Sequence, residues 1–139
     1  MKIVKGLPKD ARALKNIHVS AYKTSYRGFM PDDYLNSLAV TEDVVERTKA
    51  YIEKTECYMV EENGEKIAFV YLDYPKEKKE VFEIMAIYVH PIWHHKGVGR
   101  LIVNELSQIK KKEGCSMDQQ IQAKENQYNL NYFKSILDE

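Results

Sequence analysis

Gly97 and Gly99 stand two residues apart in the stretch IYVHPIWHHKGVGRLIV, residues 87–103. A β-branched apolar segment leads through Pro91 into the loop His94-His95-Lys96-Gly97-Val98-Gly99, and an apolar run at helical spacing follows. Where a strand delivers the chain into a glycine loop that opens a helix, several backbone N–H groups lack partners at a positive dipole end. That is an anion site, and glycine lets a phosphate approach the backbone. A helix start with no ligand uses the same residues, so the pattern alone leaves both readings open. Two phosphate motifs are excluded: the third glycine of a dinucleotide fingerprint is missing, and no Gly-Lys-Ser/Thr closes a P-loop.

Glu83 is the other residue placed for chemistry. It is the one carboxylate in the apolar run over residues 81–89, where burial would raise its pKa toward general-base range. The competing reading has it at the strand's start, pointing outward or paired with a lysine such as Lys66. His90, His94 and His95 invite a metal, but Pro91 breaks the spacing that would align His90 with His94. No nearby Cys or carboxylate completes a set, so no metal is expected. Cys57 and Cys115 match no metal or redox spacing and read as reduced structural thiols.

These residues need a scaffold. Residues 2–5 read as a strand, and residues 9–22 as a helix with Ala13, Leu14, Ile17 and Ala21 on one face. Pro31-Asp32-Asp33 opens a short helix to about residue 38. Thr41 caps another through residue 54, carrying Val44, Val45, Thr48 and Ile52. Strands over 57–62 and 66–73 flank Asn63-Gly64, a strong hairpin signal. The third strand, 81–89, is apolar on both faces apart from Glu83 and is expected at the sheet's centre with helices on either side. Val98, Ile102, Leu106 and Ile109 form the stripe of the next helix. Its Lys110-Lys111-Lys112 end reads as solvated, and Gly114 terminates it. A weak strand over 117–123 and a last helix over 128–137 complete the pattern.

With 139 residues, 44% hydrophobic and 30% charged, the chain is expected to form one globular domain spanning residues 1–139. Lys plus Arg and Asp plus Glu number 21 each, so no net field favours nucleic acid or an anionic membrane. No apolar run approaches the roughly 20 residues that span a bilayer, and the opening lacks a signal-peptide apolar region. A cytoplasmic protein is the expectation.

At Val89-His90-Pro91, followed by His94-His95-Lys96-Gly97-Val98-Gly99, the sequence resembles the GNAT superfamily of acyl-CoA-dependent N-acyltransferases. That family carries an apolar strand ending near Val-x-Pro, then Gln/Arg-x-x-Gly-x-Gly/Ala, then a helix; here His94 takes the Gln/Arg position. Ala21-Tyr-Lys-Thr-Ser-Tyr-Arg-Gly and Pro31-Asp-Asp-Tyr-Leu also resemble a subgroup of small GNAT enzymes. The resemblance implies an α/β fold, a mixed central sheet flanked by helices. It implies acetyl-CoA as co-substrate, with the backbone of His95, Lys96, Gly97, Val98, Gly99 and Arg100 around the pyrophosphate and His94 beside them. Ile87, Tyr88 and Val89 would pair with the pantetheine arm as an added strand, and an N–H near Val89 would hold the thioester oxygen. Asn126 matches a cofactor-contacting Asn of the family. Phe133 stands where the family has a Tyr, so it is grouped with the cofactor residues.

The resemblance further implies transfer to a primary amine on a small molecule or peptide, by direct attack in a ternary complex. Glu83 sits where several GNAT enzymes carry their base. Tyr132, one residue before the family's tyrosine position, is the candidate acid, with Tyr128 or water as alternatives. Tyr22, Tyr26 and Phe29, near Arg27 and Tyr34, would wall the acceptor site, with Asp32 and Asp33 available to a cation. The family usually continues through a Gly-Phe turn into further strands, which this sequence lacks. Either the chain is shortened or a second copy covers the edge as a homodimer. A non-catalytic acyl-CoA-binding or sensor module of the same fold is the alternative function.

Overall fold

The computed structural model describes residues 1–74 and 80–117. In chain order these form β1 (Lys2–Lys5), a 3-10 turn (Pro8–Asp10), α1 (Ala11–Tyr26), α2 (Asp32–Ser37) and α3 (Glu42–Lys54). β2 (Glu56–Glu62), β3 (Glu65–Asp73), β4 (Val81–Val89), a second 3-10 turn (Pro91–Trp93), α4 (Val98–Lys112) and β5 (Ser116–Met117) follow. The strands pair in the order β1-β2-β3-β4-β5. The first four are antiparallel and β5 joins β4 in parallel through Val81 and Phe82, so the sheet is mixed.

Local chemistry accounts for the element ends. Asn63 and Gly64 have φ of 51° and 83°, the left-handed pair that a tight hairpin between β2 and β3 requires. Thr41 Oγ1 accepts from Val44 N at 3.2 Å, capping α3. Gly114, at φ 80°, ends α4: its N–H donates to Lys111 O at 3.0 Å, and Cys115 N donates to Lys110 O at 2.8 Å. Those paired bonds satisfy carbonyls that the helix leaves open.

Two apolar clusters face opposite sides of the sheet. α4 brings Val98, Ile102 and Leu106 against Val60, Val70, Phe82, Ile84, Ile87 and Val89. On the other side α1 and α3 pack Leu14, Ile17, Val45 and Ile52 against Met59, Phe69 and Tyr71.

β4 does not alternate simply. Tyr71 pairs with Ala86 while Leu72 pairs with Ile84, which leaves Met85 as an extra residue, a β-bulge. Phe82 and Ile84 before the bulge and Ile87 and Val89 after it therefore share the α4 face. The expectation of a strand buried on both faces is corrected here: Glu83 is half-buried and Met85 is 45% exposed. The cause is incomplete cover, because α1 and α3 leave an opening over the bulge.

The lysine run is also corrected. Lys111 and Lys112 are exposed, but Lys110 is 1% exposed. Its Nζ lies 2.7 Å from Glu56 Oε2 and 2.9 Å from Glu113 Oε2, and 5.3 Å from the Tyr74 ring centroid. Burial on its own lowers the Lys110 pKa, but hydrogen bonding to Glu56, Tyr74 and Glu113 outweighs it and the net shift is upward. This ion cluster fixes the far end of α4 to β2. Lys110→Met strands the Glu56 carboxylate, and urea denaturation of that variant should show a loss of about 3 kcal/mol.

Candidate active site

The end of β4 and the start of α4 build one edge of the site. His90 N donates to Ile67 O at 2.8 Å, and Val89 pairs with Ala68. In an antiparallel ladder, inward and outward hydrogen-bonding residues alternate. Ile87 and Val89 therefore direct their N–H and C=O groups away from β3, toward the side where β5 pairs only at Val81 and Phe82. β4 presents a backbone edge there.

The loop beyond winds sharply into α4. His95 and Gly97 both take left-handed backbone, at φ 62° and 79°. Leu101 N donates to Gly97 O at 3.0 Å, so the N–H groups of Val98, Gly99 and Arg100 precede the first intrahelical bond. A Cβ built on Gly97 would meet nothing within 4 Å. The loop thus offers first-turn donors beside open space, which suits a phosphate. His94 Nε2 lies 2.9 Å from Val89 O. A carbonyl only accepts, so Nε2 carries the proton, and the ring ties the loop back to the strand's end. His90 Nδ1 instead accepts from Ile92 N at 3.2 Å, capping the turn.

On the opposite face of the sheet lies a cavity of about 560 Å³, between α1, α3 and the bulged part of β4. Leu14, Lys15 and His18 of α1, Val44, Arg47, Thr48 and Tyr51 of α3, and Phe69, Tyr71, Met85, Ala86 and Tyr88 of the sheet line it. The Tyr88 ring is stacked on Phe69 at 5.5 Å and tilted against His18 at 4.6 Å. Burial pushes the Tyr88 hydroxyl up to about 12.

The sequence matches the acetyltransferase (GNAT) family over residues 15–137. The chain belongs to the GNAT acetyltransferase family. Solved structures with the same fold include the PaiA N-acetyltransferase of Thermoplasma acidophilum in complex with coenzyme A. It is 20% identical, with a TM-score of 0.68 over 96% of this chain and 87% of that one. A ribosomal-protein-alanine N-acetyltransferase from Brucella melitensis biovar Abortus 2308 is 15% identical, with a TM-score of 0.61 over 98% and 91% of the respective chains. Comparison with curated proteins finds no match.

Within this GNAT domain the structure brings together Ile87, Val89 and the loop from His94 to Arg100. Tyr88 adjoins them in the chain, but its side chain lines the cavity on the other face. Glu83 lies across from Asp73, on the face opposite Phe82 and Ile84. It does not pair with Lys66, whose Nζ is 2.8 Å from Glu61 Oε2 and 3.8 Å from Asp10 Oδ1. The residues expected to wall the acceptor site lie outside the lining of this cavity. Tyr26 is 1% exposed and packs in the core, Phe29 is 63% exposed, and neither they nor Tyr22 line the cavity. Tyr22 is stacked on Tyr26 at 4.3 Å and its hydroxyl donates to Met30 Sδ at 3.4 Å. Asp32 is 3.2 Å from Arg27 Nη1 in an exposed pair. Asn126, Tyr128, Tyr132 and Phe133 lie outside the described residues, as do the last helix and most of the strand expected over 117–123. Among the described residues, no three His, Cys, Asp or Glu side chains are grouped to hold a metal.

His18 was not singled out by the sequence. It follows Ile17 at the rim of the buried face, a position that spacing alone reads as packing. Burial first, and the adjacent Lys15 charge second, push its pKa down to about 4. An unfolded histidine titrates near 6.5. The unfolded chain therefore binds this proton first as pH falls, so His18 favours the fold fully above about 6.5 and loses that contribution by about 4. The stability lost across this window should be on the order of 3 kcal/mol in urea titrations, and His18→Gln should flatten the profile.

Proposed function

We propose that this protein transfers an acetyl group from acetyl-CoA to a primary amine by direct attack in a ternary complex. The supporting observation is the backbone edge of β4 at Ile87, followed by the loop at Gly97 and the first-turn N–H groups of α4. These residues fit acetyl-CoA: the edge can take an extended amide-bearing arm as an added strand, and the helix start can take phosphates. When bound, that co-substrate supplies the activated acetyl group.

The chain's own residues supply the rest. A backbone N–H near Val89 donates to the thioester oxygen and stabilises the negative charge that develops there. Glu83, directly or through water, takes the proton that the amine nitrogen sheds as its N–C bond forms and the C–S bond breaks. The departing thiolate takes a proton from Tyr132, Tyr128 or water and leaves as the thiol. His94 holds Val89's carbonyl and so fixes the strand end against the loop. A cytoplasmic setting, with its supply of acyl-CoA, is part of the reading. So is pairing of two copies through the sheet edge.

Calorimetric titration with acetyl-CoA, followed by thiol release against a panel of amines, tests the assignment. Binding with amine-dependent release is the expected result. Binding without release to any amine would favour an acyl-CoA sensor of the same fold, and absence of binding would remove the loop's role.

A further inference from the structure

The cavity on the α1 and α3 side carries an imbalance of charge. Lys15 and Arg47 line it, and among the described residues no Asp or Glu does. Lys15 is half-buried, and its hydrogen-bond partner among the described residues is not a carboxylate but the ring nitrogen His18 Nδ1, at 3.1 Å. An ammonium donates and cannot accept, so this contact leaves its charge unneutralised. Arg47 Nη2 does meet Asp43 Oδ2 at 3.2 Å, but that pair is at the rim, with side chains 72% and 81% exposed. Solvent screens such a pair and leaves the guanidinium available.

Apart from His18 and Thr48, the remaining walls are apolar and aromatic. Tyr51 meets Tyr71 edge-on at 4.9 Å, and Phe69 meets Tyr71 at 5.3 Å. Ala86 and Tyr88 belong to β4 and flank Ile87, whose polar backbone faces the cleft. A molecule held here therefore lies against the stretch of β4 at which transfer is proposed.

We propose that the acceptor is an anionic amine, a primary amine joined to a carboxylate through an apolar or aromatic body, with the carboxylate held by Lys15 and Arg47. This rests on the acetyltransferase reading and specifies its acceptor. The body packs against the tyrosine and phenylalanine rings, and the amine points toward β4. Burial first, and repulsion by Arg47 second, lower the Lys15 pKa, as expected of an ammonium lacking a counter-charge. A polycationic amine would meet two like charges in the same space, so repulsion selects against it.

The test compares phenylalanine with phenylalaninamide in thiol-release assays with acetyl-CoA, with rates referred to the unprotonated amine, because the carboxylate that supplies the anion also raises the pKa of its own amine. The carboxylate should raise kcat/KM by about ten- to a hundredfold, the range of a charge-assisted hydrogen bond. In Lys15→Met the ratio should fall toward one, with Arg47→Gln lowering it further. Equal use of the two amines, or preference for the amide, overturns the proposal. If neither amine is acetylated, calorimetry with N-acetylphenylalanine decides. Binding that Lys15→Met abolishes upholds the anion site, and absence of binding overturns it, while the transfer reading stands or falls separately on acetyl-CoA binding and the amine panel.

Discussion

Gly97→Val should weaken coenzyme A binding by about a hundredfold or more, equivalent to about 2.7 kcal/mol, with little change in helix content. Gly97 sits at φ 79°, where an L-residue costs about 1–2 kcal/mol and a β-branched one is a marked outlier. Around its missing Cβ there is open space, so the first added carbon would meet no protein atom beyond the adjacent residues. What it would occupy is the volume beside the first-turn donors of α4. Either the branch fills that volume or the backbone relaxes and turns those donors away, and a phosphate loses its place in both cases. Calorimetric titration with coenzyme A, alongside circular dichroism to confirm folding, reads the effect. Unchanged affinity in a folded variant would show that the loop does not hold the pyrophosphate.

The second large effect is expected at Glu83. Replacement by Gln keeps the shape and removes the proton acceptor, so kcat should fall by about a hundredfold or more, the scale of general base catalysis. Affinity for coenzyme A should stay near its original value, because the loop from His94 to Arg100 is untouched. The deficit should be greatest at neutral and lower pH. As pH rises more of the amine is already unprotonated and solvent base grows stronger, so the two proteins should converge. A Gln variant with unaltered kcat but weakened coenzyme A binding would place Glu83 outside the chemistry.

Much of this scaffold was legible because its signals are local. Asn63-Gly64 specifies its turn through the backbone freedom of two adjacent residues. The strands over 2–5 and 81–89 were read with the bounds they have, since their apolar runs are short and bounded. What escaped depends on partners far apart in sequence. Lys110 could not be read as buried without Glu56, which lies 54 residues away. The bulge at Met85 is fixed by pairing with Tyr71 and Leu72 of β3, and nothing in the run FEIMAIYV announces it. The cavity escaped for the same reason: its walls come from α1, α3 and two strands, so Lys15, His18 and Arg47 become neighbours only once the sheet and helices assemble.

That bulge also constrains how β4 can vary. One inserted residue at Met85 allows Ile84 and Ile87 to face α4 together while Tyr88 faces the cavity. Removing Met85 itself would restore strict alternation and leave Ile87 on the α4 face and Tyr88 on the cavity face, because Ile84 and Ile87 would then stand two positions apart. Flattening the bulge at unchanged length is the damaging change: every side chain after it would turn over, with Ile87 and Val89 entering the cavity and Tyr88 entering the α4 core. The extra residue and the bulge therefore have to be kept or lost together. Among homologues, a one-residue gap at the bulge should be tolerated where a regular strand of the present length is not.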